Sequence, residues 1–156
     1  MKRSLTRNKK GVDGLPFKLL ITLLVVTLSF PAMTSALEYF SYTSNLSLAL
    51  KSANSIWEAG ASAYIGGKGN IRTVHLHLPS SLLAIKLGGG VNDAEAYIIE
   101  VLWKGEVAAT VVFERPSFKL ITEIGNRIEL QGEATLRLTC VEITDKSAVL
   151  LEVIKC

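Results

Sequence analysis

A chain of 156 residues, 49% of them hydrophobic, has material for about one folded core with an apolar tail besides. Its formal net charge of +3 is unevenly placed: six Lys or Arg precede Leu19 against the single acid Asp13, whereas from Leu37 onward 11 Lys or Arg meet 13 Asp or Glu. The folded part therefore carries −2 (11 − 13) and offers no basic excess to a phosphate backbone, so no nucleic-acid partner is expected.

Residues 1–11 form a basic leader that ends in Lys9-Lys10-Gly11 and runs into Val12-Asp13-Gly14-Leu15-Pro16. An ordinary secretory leader needs a positive start and an apolar core, and has no use for an acid and a proline between them. From Leu15 to Leu37 only Lys18 is charged, and these 23 residues at about 1.5 Å rise reach roughly 35 Å, enough to cross a ~30 Å hydrocarbon core. Lys18 lies near the start, where its aliphatic stem can carry the ammonium to the headgroups. The basic residues before it predict a single-pass segment with the N-terminus in the cytoplasm and everything after Leu37 outside. Two export signals fit. Residues 1–36 can form a secretory signal peptide with Thr34 and Ala36 at the −3 and −1 positions, or a cytoplasmic cut after Gly11 can leave the apolar run attached.

The pattern beyond Leu37 stays helical. Tyr39, Tyr42, Leu46, Leu50, Ala53, Trp57, Ala61 and Tyr64 recur at spacings of three or four, with Lys51, Ser55, Glu58 and Ser62 on another face, until Gly66-Gly67 ends the run. One helix over residues 15–65 would be about 75 Å long, capped by Asp13, with Pro16 tolerated in its first turn and Pro31 predicting a kink.

After Gly69 the period becomes alternating. "RTVHLHLP" sets Val74, Leu76 and Leu78 against His75 and His77; "SLLAIKL" follows, and Gly88-Gly89-Gly90 reads as a mobile surface loop without the lysine-serine ending of a phosphate cradle. Lys104-Gly105 and Gly125-Asn126 each suit a two-residue hairpin, and a turn at Asp145-Lys146 would place Cys140 opposite Leu151. These signals predict an antiparallel sheet or meander of seven or eight strands, covered by the outer half of the helix.

Few residues invite chemistry. His75 and His77 lie about 7 Å apart on one strand face, a spacing zinc can use, but no third ligand motif accompanies them and solvent-facing strand positions are the simpler reading. Cys140 and Cys156 face an oxidising exterior; an intramolecular disulfide needs the C-terminus to fold back, and a buried Cys140 with a free or intermolecular Cys156 serves equally. Asn45-Leu46-Ser47 is a glycosylation sequon, making Asn45 a candidate acceptor. The chain carries no nucleophile elbow and no CxxC, and neither an enzymatic activity nor a cofactor is expected.

Lys9-Lys10-Gly11, the apolar helix behind it and the passage "AYIGGKGNIRTVHLHLP" from helix to first strand together resemble archaeal type IV pilin-like proteins with a class III signal peptide. The resemblance covers about residues 9–79 in pattern and the rest in architecture. It implies cleavage by a prepilin peptidase between Gly11 and Val12, a retained N-terminal helix, and withdrawal from the membrane by an assembly ATPase and a platform protein into a filament of like subunits. Many members carry Glu at the fifth mature position; here that position is Pro16, and Asp13 is the nearest acid, so the mature N-terminal contact would fall to Val12 and Asp13. The expected organisation is α+β: a leader (1–11), a membrane-spanning filament-core helix (12–37), its amphipathic continuation (38–66) and a β-rich head (70–156). The alternative is a Sec-exported or single-pass anchored β-domain that binds a ligand or partner.

Overall fold

The computed structural model describes residues 14–79, 81–112, 115–143 and 146–155, and the chain forms two units, Met1–Ser41 and Tyr42–Cys156. A single helix, α1 (Gly14–Ile65), runs through both, with Pro31 inside it. Pro16 falls in the first turn, where its missing N–H has no intrahelical partner to lose. The helix ends where the glycines begin: Gly66 N donates to Ser62 O and Gly67, at φ 81°, donates to Tyr64 O. Asp13, the expected cap, lies outside the described residues.

Eight strands follow: β1 (Ile71–His77), β2 (Leu83–Leu87), β3 (Ile98–Trp103), β4 (Glu106–Val112), β5 (Leu120–Thr122), β6 (Ile128–Leu130), β7 (Glu133–Ile143) and β8 (Lys146–Lys155). The chain is α+β as its patterning predicts, but the strands form two four-stranded sheets, ordered β1-β7-β8-β5 and β4-β3-β2-β6, instead of one meander. Pairing is antiparallel throughout except for β5 against β8, which is parallel. A short 3-10 helix, Ala94–Tyr97, takes the residues before β3, with Asp93 capping it by accepting from Glu95 N at 3.0 Å.

Three expectations about the strands are corrected. The Gly125-Asn126 joint does not close a hairpin. β5 pairs with β8 and β6 with β2, so the two strands lie in different sheets. The β7–β8 hairpin pairs Ile143 with Lys146, so its turn is one residue earlier than expected and Cys140 lies opposite Val149, with Leu138 opposite Leu151. The shift moves each partner by two positions, and a period of two keeps every side chain on its predicted face. Gly88 and Gly89 are buried instead of forming a mobile loop: Thr122 N donates to Gly89 O, and a Cβ on Gly88 would stand 2.8 Å from Thr122 Cγ2. Close backbone approach, in addition to the φ of 83° at Gly88, explains the glycines.

The Lys104-Gly105 turn is as expected. Both residues have positive φ (53° and 84°), the geometry of a type I′ hairpin, and Trp103 pairs with Glu106. One core serves the whole second unit. Leu136, Leu138, Val149 and Leu151 from the first sheet meet Leu83, Ile85, Ile99 and Val101 from the second, closed by Ala49, Ala53, Ile56 and Ala61 of α1 and by Phe118. The helical contact line is centred on Ala49, Ala53, Ile56, Gly60 and Ala63, all buried, while the larger residues singled out by spacing, Leu46, Leu50, Trp57 and Tyr64, flank it half-buried. Small side chains on the line let the helix axis come close to the strands.

Candidate functional site

From Phe17 to Leu37, 21 residues or about 31 Å of helix, α1 presents large apolar side chains on every side: Phe17, Leu19, Leu23, Leu28, Phe30 and Met33 are each more than 60% exposed. No residue of this stretch is buried, and among the described residues α1 is the one helix long and apolar enough to cross a membrane. A water-facing helix of this composition would leave a very large apolar surface unsatisfied.

Four of its hydroxyls are arranged to need no water. Thr22, Thr27, Ser29 and Thr34 each turn a hydroxyl back onto the carbonyl four residues earlier, at 2.7 to 2.9 Å. That geometry satisfies the hydroxyl within the helix, as hydrocarbon surroundings require. Pro31 removes one ladder donor, and Lys18 is the only described charge before Glu38.

Of the residues singled out by sequence, Lys9, Lys10, Gly11, Val12 and Asp13 lie outside the described residues. Asn45 is half-buried on α1, so its sequon sits on a helix and not in the surface loop where an acceptor is usually found. His75 and His77 project from β1 into solvent and are drawn to β7: His75 Nδ1 lies 3.0 Å from Thr135 Oγ1 and His77 Nδ1 3.2 Å from Glu133 Oε1. No cluster of three or more metal-ligating side chains occurs among the described residues. Cys140 is buried with a free thiol; burial pushes its pKa up, and the nearby Glu142 carboxylate adds to the shift, so the thiol is held in its unreactive form. Cys156 is outside the described residues.

Sequence reasoning passed over Arg127. Its guanidinium, 9% exposed, reaches Glu95 at 2.8 Å, Glu100 at 2.9 Å and the Lys86 carbonyl at 3.3 Å, tying the start of β6 to β2, β3 and the 3-10 helix. Nη1 donates to both carboxylates and Nη2 to the carbonyl, while Nε has no partner, so the site is not fully satisfied. No local signal marks this residue, because its partners lie 27 to 41 positions away in sequence.

No family model, no curated protein and no solved structure matches this chain.

Proposed function

We propose that the chain is a structural subunit of a type IV pilus-like surface filament or secretion apparatus, anchored in the membrane before assembly. In this reading a prepilin peptidase cuts after Gly11 on the cytoplasmic side, and the head is displayed outside. The apolar helix serves first as anchor and then as the contact with other subunits and the assembly machinery. The observation that carries the reading is the continuity of α1: an exposed, predominantly apolar stretch and a stretch built into the core of a β-rich head belong to one 52-residue helix. The helix continues through Ser35, Ala36 and Leu37, where a signal peptidase would have to cut, and Leu37 is followed by 28 further helical residues.

The N-terminus of the mature protein from its native host, read by sequencing or intact mass, tests the proposal. A start at Val12 is expected. A start at Leu37 would replace it with a Sec-exported β-domain, and an uncleaved Met1 with a plain single-pass membrane protein. Substituting Gly11 should block maturation, whereas substituting Thr34 and Ala36 should leave it unchanged.

A further inference from the structure

At one end of the head, the last turn of α1, the connection after β2, the segment entering β5 and the start of β8 enclose a cleft of about 690 Å³. Tyr64, Asn92, Tyr97, Ser117, Lys119 and Lys146 supply its chemistry. We propose that this cleft binds an acidic saccharide, a sugar ring that carries a carboxylate. The proposal requires only the folded head and stands whether or not the subunit enters a filament.

The charge of the cleft runs against its surroundings. Residues from Leu37 onward sum to −2, yet among the described residues the charged ones that line the cleft are both lysines, and neither has a carboxylate partner among them. Lys119 is held in place: its ammonium donates to the Val91 carbonyl and lies 5.1 Å from the centroid of the Tyr97 ring. An ammonium has three donors, so two N–H groups remain for an incoming carboxylate. Lys146, at the exposed start of β8, adds a second cation without a hydrogen-bond commitment of its own among the described residues.

The remaining lining selects a ring over a bare anion. Tyr64 is fixed by stacking on Phe118, with centroids 5.7 Å apart and planes 25° apart, so its aromatic surface is presented rigidly. The Asn92 amide and the Ser117 hydroxyl offer both donors and acceptors, which match sugar hydroxyls. The volume falls within the ~300–1,000 Å³ of small-molecule clefts, far more than an inorganic anion fills. A helix end, two connections, the 3-10 helix and the facing ends of β7 and β8 build the cleft on the double sheet.

The test is calorimetric titration of the full-length protein in detergent micelles with tetragalacturonic acid, its fully methyl-esterified form, and inorganic phosphate. Binding of the acid is expected, at least tenfold weaker binding of the ester, and weakening with added salt. Lys119→Gln and Lys146→Gln should each weaken the acid at least fivefold, while Lys104→Asn, on the β3–β4 turn and outside the cleft, should not. Because Lys146 is solvent-exposed, its variant keeps the test open even if Lys119→Gln unfolds. No binding of the acid at millimolar concentration, equal binding of acid and ester, indifference to Lys146→Gln, or equal competition by phosphate would each overturn the proposal.

Discussion

The two halves of α1 share a backbone and reverse their choice of side chain. Between residues 17 and 37 every position is exposed and the large side chains are Phe, Leu, Ile, Val and Met; between residues 49 and 63 the buried positions are Ala49, Ala53, Gly60, Ala61 and Ala63, with Ile56 the one large residue among them. An apolar helix is therefore two different objects. One faces its surroundings with bulk on all sides and has four hydroxyls returned to its own carbonyls, which suits a hydrocarbon solvent. The other faces a sheet, and there small residues matter more than greasy ones because they set how near the backbone comes. Hydropathy alone merges the two, and burial separates them.

The comparison breaks most visibly at Ile56. Truncation to Ala should destabilise the head by about 2–5 kcal/mol, the range for deleting a fully buried aliphatic side chain, read as a lowered midpoint in thermal or denaturant unfolding. Leu24→Ala, at a site 54% exposed, should change the same midpoint by less than ~0.5 kcal/mol. A comparable loss at both sites would mean that the apolar half contributes to the head's core after all. Next in size is Val25→Arg, near the middle of the exposed stretch. It should raise the apparent free energy of inserting the segment by roughly 2.5–3.5 kcal/mol in a translocon insertion assay while leaving the head's unfolding midpoint unchanged. An unaltered insertion efficiency would sink the lipid assignment of this half.

Local chemistry made much of this legible in the sequence. The long helix, its glycine stop, the β3–β4 turn and the alternating faces of β1 and β7–β8 each depend on residues within a few positions of one another. What was hidden is non-local. β5 and β6 are three residues each and take partners from different sheets, one of them parallel, a choice no turn signal between them encodes. Gly88 and Gly89 read as flexible because the contact of Gly88 with Thr122, 34 positions on (122 − 88), is one that sequence spacing does not display. The candidate cleft was missed for the same reason: Tyr64, Lys119 and Lys146 are brought together from 82 positions of chain (146 − 64). A span long enough to cross a bilayer is plain in sequence because bilayer thickness is a length criterion, whereas Lys9 to Val12, the proposed processing site, form a motif whose meaning would depend on the enzyme that reads it.

The finest probe of the comparison is Gly60. Two effects of Gly60→Ala oppose each other, and their sum says which consideration governs the inner half of the helix. Helix propensity alone favours alanine by about 0.8–1 kcal/mol in a helix interior. Against this, the added Cβ would stand 2.7 Å from Phe118 Cε2 and 2.8 Å from Cζ, and Phe118, 1% exposed and stacked on Tyr64, has little room to withdraw. Overpacking of this kind costs about 1–3 kcal/mol, so a net destabilisation of roughly 1 kcal/mol is expected by equilibrium unfolding. Phe118→Leu frees the space, and in that background Gly60→Ala should turn neutral or stabilising, giving a measurable coupling in the double-mutant cycle. If Gly60→Ala instead stabilises the otherwise unaltered protein by the full propensity difference, the approach of helix to sheet is not set by small residues, and the contrast between the two halves of α1 reduces to hydropathy after all.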